Sequence, residues 1–270
     1  MTQDTLHTSA PAIPKLPASV CIVTNTINSV LEQIVLSTHP VCHEVLVGYD
    51  GACDSIPKDF SGCKKVHIRA VTWEGYSATK NKLAATADMD WILSLDGDEV
   101  PDRKLLKAFV QLADKLDPNT IYALKRRSIL GNKKIRFGAW GRDKVRRLYN
   151  RRHTGWKNDL VHENLEIHAD TKIALLKGYL YHYTADNYRT FLEKNRKYAK
   201  LSADKYFEQQ KKSKIIKRWL SPAFTFIKEY LLQLGFLDGR AGFQIAWGNA
   251  LYTYWKYHFL LQKYRRPVMH

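Results

Sequence analysis

The sequence predicts an α/β protein in which helices cover a mostly parallel sheet, followed by a helical C-terminal region. Short apolar runs at residues 19–24, 44–49 and 91–95 have the length and composition of strands buried on both faces of such a sheet. Stretches with apolar residues at helical spacing separate these runs. With a further strand at residues 64–71, the order becomes β-α-β-β-α-β, which suits parallel strands joined by helical crossovers.

The remaining elements follow from local patterns. The first helix is expected at residues 28–37, and the second is expected to begin near Ser77 and Thr79, whose hydroxyl groups can cap its start. A third helix is expected from Asp102 to about residue 115. Strands are expected at residues 120–126 and 178–183, and the chain is expected to be helical from residue 188 onward.

An acidic motif, Asp96-Gly97-Asp98-Glu99, directly follows the strand at residues 91–95. Three neighbouring carboxylates repel one another, and the carboxyl ends of parallel strands are where α/β sheets bind ligands. We therefore expect a cation there, most simply Mg²⁺ or Mn²⁺, which takes oxygen ligands. Gly97 is expected to let the chain turn so that both aspartates face one point. On the tetrapeptide alone, an acidic turn that caps the next helix is the preferred explanation.

The charge balance predicts an anionic partner. Lysine and arginine number 43 against 26 acidic residues, which gives a net charge of +17. Nucleic acid, an anionic membrane surface and phosphorylated substrates all satisfy this requirement. The four cysteines have no CxxC spacing, so we expect reduced and mostly buried thiols of a cytosolic protein.

Four ordered motifs carry a resemblance to a known family. They are GYSATKNKLA at residues 75–84, DWILSLDGDE at 90–99, VRRLYNRR at 145–152 and VHE at 161–163. Together they resemble the glycosyltransferase family 2 proteins of the Rossmann-like GT-A fold, over most of residues 19–260. The likeness is strongest to the lipopolysaccharide-core glucosyltransferases that extend inner-core heptose.

The resemblance implies an inverting transferase that uses a nucleotide sugar, UDP-glucose above all, together with a divalent metal. Asp96 and Asp98 would hold the metal, with Asp96 also in the nucleotide-sugar site. Asp50, which follows the second strand, would help to seat the nucleoside, although an Asp-Gly turn explains its position as well. Lys80 and Asn81 would lie near the nucleotide, whereas a lysine on a helix is ordinarily solvated surface.

The resemblance also implies roles for two later residues. Glu163 of the VHE motif would be the general base that takes a proton from the attacking hydroxyl. His182 would be a third metal ligand, with a hydrogen-bonded structural histidine as the alternative.

A long basic stretch between residues 125 and 157 has several interpretations. Interleaved aromatic residues suggest a nucleic-acid surface, and charge alternation suggests the solvated face of a sheet. The resemblance favours a third interpretation, an acceptor groove for a phosphorylated glycolipid, because arginine forks suit phosphate. The basic residues are Arg126, Arg127, Lys133, Lys134, Arg136, Arg142, Lys144, Arg146, Arg147, Arg151 and Arg152.

Three consecutive regions are expected. Residues 1–18 are a flexible lead-in, residues 19–187 the nucleotide-sugar transferase domain, and residues 188–270 a basic, aromatic-rich helical extension with a hairpin turn at residues 235–239. The longest uncharged run of the extension, residues 241–255, is too short to span a bilayer. The extension therefore either lies on a membrane surface or packs on the catalytic domain.

These observations predict where the protein acts and what it binds. No signal peptide is evident, so the expected location is the inner face of the cytoplasmic membrane, where a lipopolysaccharide-core glycolipid would be the acceptor. Two alternatives stay open. One is a transferase for another cell-envelope glycan, and the other is a basic nucleic-acid-binding protein whose acidic strand ends are ordinary turns.

Overall fold

The structure is a computed structural model that describes residues 14–51, 60, 63, 65–141, 143–157 and 164–265. The chain forms two compact units. The first unit contains Met1–Leu124 and Arg146–Tyr179, and the second contains Lys125–Val145 and Leu180–His270. Each unit is thus built from two separate parts of the chain, whereas the sequence pattern predicted consecutive regions.

Four neighbouring parallel strands form one part of the sheet in the first unit. They are β1 (Leu16–Thr24), β2 (Cys42–Tyr49), β3 (Val66–Ala70) and β4 (Trp91–Asp96), in the order β3-β2-β1-β4. The predicted β-α-β-β-α-β order and its parallel pairing are therefore confirmed. β1 begins three residues earlier than predicted, because Leu16 and Ala18 are fully buried and extend the apolar run.

Two helices connect these strands. Helix α1 (Ser29–Thr38) is capped by Asn28, whose Oδ1 accepts hydrogen bonds from the first turn. Helix α2 (Tyr76–Ala85) is capped by Gly75, whose φ of 92° favours glycine. The predicted caps were wrong, since Ser77 and Thr79 are buried inside α2 and Thr79 Oγ1 accepts instead from the N–H of Glu74 before the helix.

The chain after β4 turns sharply before the third helix. Strand β5 (Glu99–Pro101) follows the acidic motif, and α3 (Arg103–Leu112) begins after Asp102, whose carboxylate accepts from the N–H of Leu105. The helix after the motif is confirmed, but the motif itself is more than a cap. Asp102 caps the helix, while the three carboxylates before it make other contacts.

Strands β6 (Thr120–Leu130) and β8 (Asp143–Asn150) pass from one unit into the other. In the first unit, β8 pairs antiparallel with β4, and β6 pairs parallel with β9 (Lys172–Leu175). The antiparallel pairing sets Leu148 opposite Leu93 and brings the preceding part of β8 toward the acidic end of β4. A basic strand is thereby placed beside an acidic turn.

The second unit contains a few strand segments and a group of helices. Its strands are β7 (Lys133–Lys134), the second half of β6, and β10 (Leu180–Ala185), which runs parallel to β6. Its helices are α4 (Tyr188–Glu208), α5 (Lys217–Ile227) and α6 (Arg240–Arg265). The predicted helical region from residue 188 is confirmed.

The connection between α5 and α6 confirms the predicted turn. A π-helical turn (Lys228–Leu232) extends α5, and a 3₁₀ turn (Gly235–Asp238) follows it. Asp238 is buried there and accepts hydrogen bonds from the backbone N–H groups of Arg136 and Phe137. Among the helices of the described residues, none has both the length and the apolar character to cross a bilayer.

Candidate active site

The carboxylate of Asp96 is held between two cationic side chains at the end of β4. Lys80, on α2, places Nζ 2.7 Å from Asp96 Oδ1, and Arg147, on β8, places Nη2 2.5 Å from Asp96 Oδ2. Both cationic side chains are almost completely buried, whereas Asp96 is 29% exposed. Three elements that are distant in sequence therefore fix the orientation of a carboxylate that still reaches the surface.

Arg147 also pairs with the buried end of the acidic motif. Its Nη2 donates to Glu99 Oε1 at 2.7 Å, and Glu99 has no exposed surface. The other carboxylate oxygen of Glu99 accepts the backbone N–H of Asp96 at 3.2 Å. Glu99 thus closes the turn of the motif and gives the buried Arg147 a second counter-charge beside Asp96.

Gly97 allows the turn for a steric reason. A Cβ atom at Gly97 would lie 2.6 Å from Thr24 Oγ1, far inside van der Waals contact. The φ angle of Gly97 lies outside the left-handed region, so the requirement for glycine comes from this close approach and not from backbone conformation. The turn leaves Asp98 half-buried beside Asp96 in the chain.

Asn81 clamps the chain before the VHE motif. Its Nδ2 donates to the carbonyl oxygen of Trp156 at 2.8 Å, and its Oδ1 accepts the N–H of Trp156 at 2.9 Å. The Trp156 ring lies 4.7 Å from Lys80 Nζ and packs edge to face with Tyr149, and burial raises the pKa of the Tyr149 hydroxyl above its usual range. The segment after Trp156 therefore starts from a fixed point beside Lys80.

Asn164 and Leu165, which follow the VHE motif, lie beside Trp156. Asn164 accepts a hydrogen bond at its carbonyl oxygen from the N–H of Lys157, and Leu165 forms an antiparallel bridge with Trp156. Glu163, the predicted base, lies outside the described residues, as does His162. Asn164, the residue after Glu163, is nevertheless anchored beside Trp156.

The other predicted site residues have separate positions. Asp50 is half-buried at the carboxyl end of β2, and its N–H donates to the carbonyl oxygen of Thr24 at the end of β1. It therefore stands at the same edge of the parallel sheet as Asp96, because β1 is the strand between β2 and β4. His182 lies in the second unit, on β10, where its Nδ1 is 3.2 Å from Thr184 Oγ1.

The acidic motif has the chemistry of a site for a hard divalent cation. Asp96, Asp98 and Glu99 bring three carboxylates into four residues, and Lys80 and Arg147 pair with two of them, Asp96 and Glu99. Within the described ranges, no group of three or more His, Cys, Asp or Glu side chains is placed to share a metal. A Mg²⁺ ion commonly takes one or two carboxylates from the protein, and water and substrate phosphates supply its other ligands. The carboxylates of the acidic motif therefore fit such an ion.

Several arginines of the basic stretch are committed to carboxylates. Arg147 contacts the acidic motif, and Arg151 and Arg152 both pair with Asp90 just before β4. In the second unit, Arg126 Nη2 lies 2.6 Å from Asp143 Oδ2. These pairs lower the charge available to an outside anion. Asp143 is the one acidic residue in the sequence between residues 125 and 157, and the other carboxylates come from segments that are distant in sequence.

The family follows from a match to known sequences. The family model described as "Glycosyl transferase family 2" matches residues 20–168, which is more than half of the chain. The chain belongs to glycosyl transferase family 2. The matched range includes Asp50, Lys80, Asn81, Asp96, Asp98 and Glu163, and it ends before His182.

Similar proteins carry the same general description. Uncharacterized glycosyltransferases of Rickettsia prowazekii and Rickettsia typhi are each 24% identical over 238 residues, which is 83% of this chain and 80% of theirs. The crystal structure of residues 1–349 of Staphylococcus aureus TarS aligns over 93% of both chains, with 14% identity and a TM-score of 0.44.

Membership of glycosyl transferase family 2 confirms two predictions. The chain is a glycosyltransferase enzyme, and its mixed α/β sheet with a helical C-terminal region is consistent with the GT-A fold. It also favours a transferase over a nucleic-acid-binding protein. The narrower likeness to lipopolysaccharide-core glucosyltransferases stays a prediction.

Proposed function

We propose that this glycosyltransferase transfers a sugar from a UDP-sugar to a lipopolysaccharide-core or related glycolipid acceptor. The proposed sugar is glucose, and the transfer inverts the configuration at its anomeric carbon. The observation that carries the proposal is the double pairing of Asp96 with Lys80 and Arg147 beside Asp98 at the end of β4. This arrangement presents an oriented, partly exposed carboxylate at the sheet edge where α/β proteins bind ligands.

The donor would occupy this edge of the sheet. Asp96 and Asp98 would hold a Mg²⁺ or Mn²⁺ ion, which when bound supplies positive charge for the diphosphate leaving group. Lys80 and Arg147 keep Asp96 in one orientation, so the site need not rearrange during the reaction. Asp50, at the end of β2, would contact the nucleoside.

Glu163 would be the general base. In a single displacement, the acceptor oxygen forms a bond to the anomeric carbon while the bond to the diphosphate breaks and its electron pair leaves with UDP. The acceptor hydroxyl must lose its proton to a carboxylate other than Asp96 and Asp98. The anchoring of Asn164 beside Trp156, whose ring contacts Lys80, supports a base at residue 163.

Two further roles belong to the proposal. His182 is proposed as a third metal ligand on the strength of the family resemblance. The acceptor is proposed as an anionic glycolipid at the inner face of the cytoplasmic membrane, because the net charge of +17 favours such a partner. An acceptor of another cell-envelope glycan fits the same charge and is the second candidate.

Donor and base can be tested separately. Among a panel of nucleotide sugars tested with Mn²⁺, the true donor should raise the melting temperature of the protein, since a ligand that binds the folded state stabilises it.

The base is tested by Glu163→Gln, which should keep this shift in melting temperature. Its rate of UDP release in the presence of a lipopolysaccharide-core acceptor should fall by at least about a hundredfold. Glu166→Gln, at a nearby exposed glutamate, is the matched control and should retain turnover. Turnover in Glu163→Gln equal to that of the wild type would exclude this residue as the base, and no shift with any nucleotide sugar would exclude the donor class.

A further inference from the structure

Helix α5 turns its apolar side toward solvent. Every residue of α5 is at least partly exposed, and three large apolar side chains are exposed over more than half of their surface: Phe224 is 63%, Leu220 is 61% and Trp219 is 59% exposed. Their spacing places them on one side of the helix, and the same side continues through the π-helical turn. We call this surface the apolar stripe; its members are Trp219, Leu220, Phe224, Ile227, Leu231 and Leu232.

The side of α5 and the π-helical turn that faces α6 contains polar contacts. Thr225 Oγ1 donates to the carbonyl oxygen of Ser221 and lies 3.4 Å from Thr253 Oγ1 on α6. In the following π-helical turn, Glu229 Oε2 accepts a hydrogen bond from Asn249 Nδ2 at 2.7 Å. Aromatic contacts accompany these polar groups, because Phe226 packs edge to face with Phe243 and Trp247 of α6. The apolar stripe is therefore additional to the apolar side chains that pack on α6. A contiguous exposed apolar surface of this kind marks an interaction site.

Positive charge accompanies the apolar stripe. Between residues 211 and 232 the sequence has six basic residues and one acidic residue, Glu229. The Glu229 carboxylate accepts a hydrogen bond from Asn249 on α6, so its charge lies on the side of the helix that faces α6. The basic residues are Lys211, Lys212, Lys214, Lys217, Arg218 and Lys228.

This combination selects the partner. A second copy of the chain would bring one basic surface against another, which opposes self-association. Nucleic acid would satisfy the charge but would leave the aliphatic and aromatic side chains of the stripe in water. An anionic bilayer satisfies both, because its phosphates attract the lysines and its acyl region accepts the apolar side chains.

We propose that α5 and the π-helical turn dock on the surface of an anionic lipid bilayer. The apolar stripe lies at the boundary between headgroups and acyl chains, and Lys214 and Lys217 contact lipid phosphates. A groove of about 530 Å³ between α5 and α6, lined in part by Trp219, Phe226 and Trp247, adds apolar surface beside the stripe. The proposal concerns the second unit alone and does not rest on the donor, the acceptor or the catalytic residues.

Co-sedimentation of the full chain with lipid vesicles tests this surface. The wild type should bind vesicles that contain phosphatidylglycerol, more weakly at high salt, and should bind phosphatidylcholine vesicles poorly. Leu220→Ser with Phe224→Ser should weaken binding by about tenfold or more, because two large apolar side chains are lost. Lys214→Glu with Lys217→Glu should weaken binding to anionic vesicles by at least about tenfold and reduce its dependence on salt.

A matched control lies on α4. Tyr198 and Leu201 are 54% and 52% exposed and lie outside the stripe, so Tyr198→Ser with Leu201→Ser should bind vesicles like the wild type. Circular dichroism checks that each variant is folded. No binding to anionic vesicles, or equal binding by the stripe variant, would overturn the proposal. So would a dimer that the stripe substitutions convert to a monomer, or RNA binding that the same substitutions abolish.

Discussion

Arg147 and Glu99 form a buried ion pair at the centre of the site, with Nη2 and Oε1 2.7 Å apart. Glu99 has no exposed surface, and its second oxygen holds the N–H of Asp96. The same Arg147 nitrogen reaches Asp96 Oδ2. One arginine therefore links Glu99, which stabilises the turn, to Asp96, the carboxylate that we propose for the donor site.

Removing Arg147 should cost stability as well as activity. Arg147→Met keeps much of the apolar stem but leaves Glu99 charged and buried without its partner. We expect the free energy of unfolding in urea to fall by roughly 3–5 kcal/mol. Adding Glu99→Gln to this variant should restore part of the loss, because the uncompensated charge is then removed. A loss below about 1 kcal/mol in Arg147→Met, within the range of an exposed ion pair, would contradict the buried pairing.

The clamp between Asn81 and Trp156 gives a second prediction. In Asn81→Asp the side chain can still accept the N–H of Trp156, but a carboxylate oxygen then faces the Trp156 carbonyl oxygen. We expect a loss of roughly 1–3 kcal/mol in unfolding free energy, together with reduced turnover, because the clamp fixes the chain seven residues before Glu163.

Asn132 provides the control for that substitution. It is exposed in the turn between β6 and β7, so Asn132→Asp should change neither unfolding in urea nor turnover. Equal stability of the Asn81→Asp and Asn132→Asp proteins would show that the two hydrogen bonds of Asn81 contribute little.

Two buried thiols predict how stability depends on alkaline pH. Burial, with the charge of Glu44 adding to it at Cys21, raises the pKa of both Cys21 and Cys42 to about 12. Above about pH 9 the unfolded chain loses these protons while the folded chain keeps them, so stability falls as pH rises. Each thiol should contribute a slope of about 1.4 kcal/mol per pH unit until about pH 12.

Urea unfolding between pH 8 and pH 11, with reductant, measures this slope. The double variant Cys21→Ala with Cys42→Ala should show a shallower decline than the wild type. Cys63 is only partly buried, so Cys63→Ala should leave the decline unchanged. An identical slope in the double variant would assign the alkaline loss to other groups.

The sequence predicted the elements around the site because each depends on nearby residues. The apolar run at residues 91–95 and its acidic end identify β4 and the motif without any tertiary information. The prediction of the N-cap of α2 was wrong because it, too, used nearby residues alone. Ser77 and Thr79 have capping side chains, but packing buries both, and Gly75 takes the position because its φ is positive.

The cations of the site could not be predicted from local patterns. The cation expected at the acidic motif was assigned to a metal, yet the structure adds Lys80 and Arg147. Lys80 looked like solvated helix surface unless the family resemblance was used, and it is 3% exposed. Arg147 was one of eleven basic residues, and its partners lie 48 and 51 positions away. Only the antiparallel pairing of β8 with β4 brings them together.

The helical extension was predicted, but its exposed side was not. The sequence showed aromatic residues among lysines and left membrane contact and internal packing as equal alternatives. Helical spacing alone identifies an apolar side of α5 without saying whether α6 covers it. The exposure of Leu220 and Phe224 shows that α6 leaves this side of α5 uncovered, and membrane contact stays a proposal.

Calorimetric titration of UDP into the protein with and without Mn²⁺ tests the central claim most directly. The claim is that Asp98, beside the paired Asp96, forms the site of the donor diphosphate and its metal. The wild type should bind UDP far more tightly with Mn²⁺, and Asp98→Asn should lose at least about tenfold in affinity. Asp114→Asn, at an exposed aspartate after α3, should bind like the wild type. Metal-dependent UDP binding by a folded Asp98→Asn protein with wild-type affinity would contradict the account.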